Sequence, residues 1–144
     1  MSSRRLEDLV PEVADKVRFW VDACTARGVD VLVYCTLRTW QEQAALWAQG
    51  RTRPGLVVTN AKPWDSWHQY GRAVDAVPLR NGKPIWRYDS ADPAWQVFGE
   101  EAEKAGLEWA GRWKSFREYV HVQWTGGLSL AQARQAAHTE GVVV

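Results

Sequence analysis

Residues 66–75 carry the sequence SWHQYGRAVD, in which a histidine and an aspartate flank a glycine. Gly71 permits a sharp backbone turn after His68, because a residue without Cβ adopts conformations that other residues avoid. The run from Ala73 onward is rich in β-forming residues and predicts a strand that contains Asp75. The bend at the glycine therefore predicts that the His68 and Asp75 side chains converge.

A second segment, residues 118–124, carries another histidine in the sequence EYVHVQW. A strand is predicted over residues 119–124, and the side chains of a strand alternate between its two faces. The polar side chains would then share one face: Tyr119, His121 and Gln123. We expect that face to point toward the same site.

Two imidazoles and one carboxylate form the kind of ligand set that hydrolytic zinc sites use. Such sites take three nitrogen or oxygen ligands and leave the fourth position to a water that ionises near neutral pH. His68, Asp75 and His121 would be the ligands, and Glu118 would be the general base that later protonates the leaving amine. On spacing alone, a zinc site and a pair of ordinary histidines are about equally good interpretations.

The remaining pattern predicts an α+β fold, with a small, mainly antiparallel sheet and flanking helices. Helices are predicted over residues 6–26, 39–48, 93–105 and 129–138. Strands are predicted over residues 31–35, 73–79, 83–86, 107–109 and 119–124. The Asn81–Gly82 pair predicts a tight hairpin, and residues 51–65 predict an ordered loop or long arm.

Aromatic residues and cysteines are assigned mainly to the core. The chain has ten tryptophans and two cysteines, and two cysteines are too few for a disulfide framework. Cys24 and Cys35 are predicted to be reduced core residues without a histidine partner. Five tryptophans are expected in the core or in helix packing, Trp20, Trp40, Trp47, Trp95 and Trp109. Four are expected to wall a cleft, Trp64, Trp67, Trp113 and Trp124. His138 is expected at the surface.

Length and charge limit the possible functions. The 144 residues fit one domain, and 46% hydrophobic residues suffice for folding without a metal, so a metal site would serve function. A net charge of +1 argues against a dedicated nucleic-acid binder. No apolar stretch has the length of a signal peptide or membrane span, so we expect synthesis in a cytoplasm and no membrane insertion.

Charge is unevenly spread along the chain. Residues 51–87 hold seven basic and two acidic groups, whereas residues 88–108 hold one basic and six acidic groups. A basic segment favours an anionic substrate. Two solvated faces of opposite sign are at least as good an explanation.

The two motifs resemble those of a known family of zinc peptidases. Ser66, His68 and Asp75, followed by Glu118 and His121, match the pattern of D-Ala-D-Ala carboxypeptidases and bacteriophage L-alanyl-D-glutamate endopeptidases, which cut the peptidoglycan stem peptide. The resemblance implies that His68, Asp75 and His121 bind zinc. It also implies that Glu118 is the catalytic acid/base.

Another part of the chain is similar to the phage endolysin branch of that family. The similarity lies in residues 37–39 (LRT), 43–55 (QAALWAQGRTRPG) and 58–61 (VTNA). It makes Arg38 a candidate to hold substrate or stabilise the oxyanion, with a surface ion pair as the alternative. Ser66 is predicted either to bind substrate or to cap a turn. One departure is Glu118, since the endolysin branch often has an aspartate before a proline-containing turn there.

Together these features predict a monomeric, single-domain zinc peptidase over residues 1–144, with no separate wall-binding domain. The first choice is a phage endolysin that cuts the L-Ala-D-Glu bond of peptidoglycan, made in the host cytoplasm without a signal peptide and acting on the wall after release. The basic segment would partly replace a wall-binding domain. Two alternatives stay open: a D-Ala-D-Ala carboxypeptidase, and a non-catalytic zinc-containing wall-binding module.

Overall fold

The computed structural model describes the backbone of residues 2–139 and the side chains of residues 2–137. The predicted surface position of His138 therefore lies outside the described side chains. The helices are α1 (Pro11–Ala26), α2 (Trp40–Ala48), α3 (Pro93–Lys104) and α4 (Leu130–Thr139). The strands are β1 (Asp30–Cys35), β2 (Ala73–Arg80), β3 (Lys83–Pro84), β4 (Glu108–Trp109) and β5 (His121–Gln123). These elements confirm the α+β prediction.

The sheet has the order β1-β2-β5-β4, with β3 paired to β2, and all of these pairs are antiparallel. The register sets Cys35 opposite Asp75 and Asp75 opposite His121. It also sets Glu108 opposite Gln123. Residues that are far apart in sequence therefore lie side by side at one end of the sheet, because directly paired residues have neighbouring side chains.

The core forms where α1 and α3 pack together and against the sheet. Trp20 and Phe98 are fully buried, and their ring centroids are 5.0 Å apart in an edge-to-face arrangement. The Trp20 indole N–H also donates to the Phe98 carbonyl at 2.9 Å. Burial of an apolar side chain of this kind stabilises the fold by roughly 1.5–3 kcal/mol.

Local signals placed the starts of α2 and α3 and the hairpin correctly. The Thr39 hydroxyl accepts from the Glu42 backbone N–H at 3.1 Å, and the Glu42 carboxylate accepts from the Thr39 N–H at 3.0 Å, which forms a capping box. Asp92 caps α3. Asn81 and Gly82 both have positive φ, 54° and 75°, as a tight hairpin turn requires.

Two of the element boundaries that differ from the prediction lie at prolines. Residues 6–8 form a separate 3₁₀ turn, and α1 begins only at Pro11, because the residue before a proline is driven out of the helical region. The strand predicted over residues 83–86 ends at Pro84. Proline has no backbone N–H to donate to a neighbouring strand.

The prediction for Tyr119 is wrong. Strand β5 starts at His121, so the alternation does not extend back to residue 119. The Tyr119 ring stacks on Tyr88 at a centroid distance of 3.7 Å and packs against the core. Val120, the next residue, lines the cleft. Aromatic packing in the core therefore decides the direction of the Tyr119 side chain.

The tryptophans divide differently from the expectation. Trp20, Trp95 and Trp109 are buried, whereas Trp40 is 41% exposed at the start of α2. The Arg51 guanidinium lies over the Trp47 ring, and its Cζ is 3.4 Å from the ring centroid. Two of the four expected wall residues line the cleft, Trp67 and Trp113, and the other two do not, Trp64 and Trp124.

Among the described residues, no helix is long and apolar enough to cross a membrane.

Candidate active site

His68 is held by a short 3₁₀ helix, Trp67–Tyr70. The Ser66 hydroxyl caps that helix by accepting the His68 backbone N–H at 3.3 Å, and Gly71 closes it with φ 66°. The His68 ring is buried, and its Nδ1 lies 2.8 Å from the Thr36 carbonyl. A carbonyl only accepts hydrogen bonds, so Nδ1 must carry a proton, and the neutral ring then has its lone pair on Nε2.

The three predicted ligands come together around one oxygen. Asp75 Oδ1 lies 3.2 Å from His68 Nε2 and 3.4 Å from His121 Nδ1. Tetrahedral zinc with bonds of about 2.0–2.2 Å separates its ligand atoms by about 3.3–3.6 Å. The donor types fit a zinc ion, and the two spacings lie in or close to that range. The structure brings these residues together, and their role as ligands stays a prediction.

The buried charges form a coupled pair. Burial lowers the pKa of His68, but the Asp75 carboxylate and the Cys35 contact outweigh it and raise that pKa to about 10. Burial raises the pKa of Asp75, but the His68 and His121 imidazoles hold it well below its usual range. A metal ion must displace the His68 proton in order to bind, which couples metal affinity to pH.

Cys35 also lies at this site, which corrects the prediction that it lacks a histidine partner. Its Sγ is 3.7 Å from His68 Nδ1, and Cys35, His68 and Asp75 form a second possible ligand group. Cys35 faces the His68 nitrogen that donates to Thr36, however, and not the nitrogen that faces Asp75. His121 therefore completes the ligand set better than Cys35 does. Cys24 is a buried free thiol in the core, as predicted.

Arg38 lies against the outer oxygen of Asp75. Its Nη2 is 3.5 Å from Asp75 Oδ2, and its Nη1 donates to Gln43 Oε1 at 2.9 Å. The side chain is only 14% exposed, so the alternative of a surface ion pair is wrong. Arg38 also lines the cleft.

Two buried amides were missed by the sequence reasoning. Gln43 and Gln69 are both fully buried, and the Gln69 amide contacts Gln43 at 3.4 Å. Gln43 Nε2 donates to the Ala61 carbonyl at 2.8 Å, and Gln69 Oε1 accepts from the Trp64 backbone N–H at 3.2 Å. The two amides therefore attach the loop over residues 51–65 to α2 and to the 3₁₀ helix. No sequence signal distinguished them from exposed glutamines.

Glu118 stands at the mouth of the site. Its side chain is 58% exposed, and its Oε2 lies 3.8 Å from His121 Nδ1. It follows the exposed residue Phe116, which has φ 53° and also lines the cleft. A carboxylate that is open to solvent and close to the ligand atoms can exchange protons with both water and substrate.

The cleft above these residues has a volume of about 800 Å³. Its floor holds the three predicted metal ligands, with Arg38 and Glu118 beside them. Ser66 and the rings of Trp67, Trp113 and Phe116 form part of its walls, as do residues 58–61 of the loop. The open shape and mixed polar and apolar lining suit an extended peptide.

Comparisons with known proteins agree with this site. The family described as D-alanyl-D-alanine carboxypeptidase matches residues 59–124, which contain all three predicted ligands and Glu118. The peptidoglycan L-alanyl-D-glutamate endopeptidase CwlK of Bacillus subtilis is 36% identical over 122 residues, which cover 81% of this chain and 73% of that protein. The chain belongs to the M15 family of metallopeptidases, from which both of these matches come.

Other relatives of this M15 peptidase extend the comparison. The L-alanyl-D-glutamate peptidase of a Listeria phage is 29% identical over 119 residues, covering 83% of this chain and 38% of the phage protein. Among solved structures, the L-Ala D-Glu endopeptidase ChiX of Serratia marcescens has a TM-score of 0.57 at 23% identity, covering 87% of this chain and 89% of that chain.

A third likeness is to a structure that holds the metal. The vancomycin-resistance D,D-pentapeptidase VanY, solved in complex with Zn(II), has a TM-score of 0.59 at 17% identity, covering 90% of this chain and 78% of that chain. At such identities the likeness to solved structures establishes the fold. The assignment of individual residues in this M15 peptidase rests on its own geometry.

Proposed function

We propose that this M15 peptidase is a zinc-dependent peptidoglycan endopeptidase that hydrolyses the L-Ala-D-Glu bond of the stem peptide. The observation that carries the proposal is the convergence of two imidazole nitrogens on one Asp75 oxygen, beside the accessible Glu118 carboxylate, at the floor of an open cleft. The similarity to CwlK supports the choice of bond.

Zinc would be held by His68 through Nε2, by Asp75 through Oδ1 and by His121 through Nδ1. When bound, it supplies a Lewis acid that polarises the substrate carbonyl and makes a water more acidic. Glu118 accepts the proton of the attacking water and passes it to the departing amine. The amide C–N bond is replaced by a carboxylate and an amine, with one water consumed.

Arg38 and Ser66 are proposed to act on the substrate. The Arg38 guanidinium lies beside Asp75 in the cleft, where it can also stabilise negative charge on the substrate oxygen. The Ser66 oxygen accepts one hydrogen bond from the His68 N–H, so its own proton remains available to a substrate carbonyl. Capping and substrate binding are therefore compatible roles for Ser66.

One feature of the cleft favours an endopeptidase over a carboxypeptidase. Arg38 is the one arginine or lysine among the described residues that line the cleft, and its Nη2 lies 3.5 Å from Asp75 Oδ2. A carboxypeptidase must hold the terminal carboxylate of its substrate, which calls for a positive group. The described lining of the cleft offers no further arginine or lysine for that purpose.

The test is mass spectrometry of purified peptidoglycan digested by the zinc-loaded protein, with an EDTA-treated control. New D-Glu amino termini in the zinc-loaded sample alone would support the proposal. Release of free D-Ala would move the protein to the carboxypeptidase alternative. Absence of any metal-dependent product would favour the non-catalytic wall-binding module.

We also propose a role in phage lysis, in which the monomeric protein is made in the host cytoplasm and reaches the wall after release. The similarity to the Listeria phage peptidase supports this role. Expression in a host with and without a pore-forming protein tests it, since lysis is expected only with the pore. Lysis without the pore would contradict this release route.

The basic loop is proposed to bind anionic wall polymers. Arg51 and Arg53 are exposed, and so is Lys62, close to residues that wall the cleft. Charge reversal of all three is expected to weaken wall binding and reduce its salt dependence. An unchanged salt dependence would contradict this role.

A further inference from the structure

A chain of two hydrogen bonds lies behind His121. The alternation of β5 places His121 and Gln123 on one face, and the register of β4 and β5 places Glu108 directly opposite Gln123. His121 Nε2 lies 2.7 Å from Gln123 Oε1, and Gln123 Nε2 donates to Glu108 Oε2 at 2.7 Å. The chain runs from the zinc site to a carboxylate at the surface.

The direction of these hydrogen bonds follows from the chemistry of the last member. An ionised carboxylate only accepts hydrogen bonds, so Glu108 requires the NH₂ group of Gln123 to face it. The Gln123 carbonyl oxygen must then face His121, and it can only accept. His121 Nε2 must therefore carry the proton and donate it, which leaves the lone pair on Nδ1.

That lone pair is on the nitrogen that faces the metal position. His121 Nδ1 lies 3.4 Å from Asp75 Oδ1, the oxygen that also faces His68. A flipped Gln123 amide would point its oxygen at the Glu108 carboxylate, which is repulsive. It would also point its NH₂ at His121 Nε2, which would then have to carry the lone pair. The carboxylate thus selects one orientation of the amide and, through it, one tautomer of the histidine.

We propose that Gln123 and Glu108 are positioning residues that hold His121 in the tautomer required for zinc binding through Nδ1. His68 is held in its complementary tautomer by the Thr36 backbone carbonyl, which has no alternative orientation. His121 depends instead on two side chains, so a substitution can remove its support. The inference rests on the proposed zinc site and is independent of which bond is cleaved.

Zinc affinity, measured by competition with a chromophoric chelator, tests the proposal without any peptidoglycan. Glu108→Gln keeps the shape of the side chain but allows either amide orientation, and it is expected to weaken zinc binding by roughly 10-fold. Gln123→Leu removes the acceptor and is expected to weaken binding by roughly 10–100-fold. The matched control, Glu100→Gln, removes the charge of an exposed glutamate that pairs with Arg27, and it should leave zinc affinity unchanged.

The double variant separates one chain from two independent effects. If Glu108 acts only through Gln123, then Glu108→Gln combined with Gln123→Leu should bind zinc as Gln123→Leu alone does. Additive losses would contradict the chain. Wild-type affinity in Glu108→Gln would overturn the role of Glu108.

A spectroscopic measurement reads the tautomer directly. In the zinc-loaded protein, ¹⁵N shifts of the His121 imidazole should show a proton on Nε2 and none on Nδ1. At the same zinc concentration, Glu108→Gln should show an added population without bound zinc, and Glu100→Gln should match the wild type. A proton on Nδ1 in the zinc-loaded wild type would overturn the proposal, even if that enzyme cleaved peptidoglycan as proposed.

Discussion

The two sides of the site differ in how firmly they are held. His68 is buried, its helix is capped by Ser66, and a backbone carbonyl sets its tautomer. Glu118 lies on the other side, in a turn that exposes more than half of its side chain. The difference separates two tasks, because metal ligands gain from rigidity, whereas an acid/base must meet both water and substrate.

The largest expected effects come from substituting His68 or Asp75, the two predicted ligands on the firmly held side of the site. His68→Ala deletes one of the three predicted ligands, and Asp75→Asn removes the negative charge that both imidazoles face. Both variants are expected to lose bound zinc and to lose cleavage down to the level of the EDTA-treated protein. Metal analysis and peptidoglycan digestion measure the two effects. A variant that kept full activity without zinc would contradict the metal assignment.

A substitution of the exposed Glu118 should lower the rate of cleavage without changing zinc binding. Glu118→Gln keeps the shape of the side chain but cannot accept a proton, so kcat is expected to fall by roughly 10²–10⁴-fold while zinc content stays the same. Glu103→Gln is the matched control, because Glu103 is an exposed glutamate paired with Arg112 away from the cleft. Persistent cleavage in Glu118→Gln would show that the acid/base assignment is wrong.

The coupled charges of His68 and Asp75 predict that the stability of the metal-free protein depends on pH. The folded-state pKa of His68 is about 10 and its ordinary value is 6.5, so this pair contributes full stability below pH 6.5 and loses it as the pH rises toward 10. The pKa of Asp75 is lowered, so its contribution exists above its ordinary value of 3.8 and is lost as the pH falls below it.

Thermal unfolding of the metal-free protein should therefore show this pair stabilising most between about pH 4 and 6.5. Asp75→Asn is the comparison, because it should flatten the decline in stability above pH 6.5. An identical pH profile in that variant would contradict the coupling between the two residues.

The smallest expected effect lies outside both sides of the site. Asp92 caps α3 by accepting the Ala94 N–H at 3.0 Å and pairs with Arg80 at the surface. Asp92→Ala is expected to lower the free energy of unfolding by about 1 kcal/mol, because one N–H at the helix start loses its acceptor. Cleavage per folded molecule should not change. Denaturant unfolding and digestion assays measure the two quantities, and lower specific activity would show unexpected coupling between α3 and the cleft.

Sequence reasoning reached further on the rigid side of the site than around it. The turn at Gly71 and the strand after it correctly indicated that His68 and Asp75 would meet. The side-chain direction of Tyr119 was wrong, because aromatic packing against Tyr88 overrides the alternation expected of a strand. The contact between Cys35 and His68 was missed because it depends on how β1 pairs with β2.

The sequence by itself determined the features that depend on neighbouring residues. It placed the helix caps at Thr39 and Asp92, the hairpin at Asn81–Gly82 and the motif that resembles zinc peptidases, because each is specified within a few positions. Only the tertiary structure decided how the histidines are supported. Thr36 supports His68, and Gln123 together with Glu108 supports His121. His68 and Thr36 are 32 positions apart in the sequence, and Gln123 and Glu108 are 15 positions apart. Strand register and chain turns bring these residues into contact. Local sequence patterns do not predict these contacts, because burial and the packing of distant segments determine them.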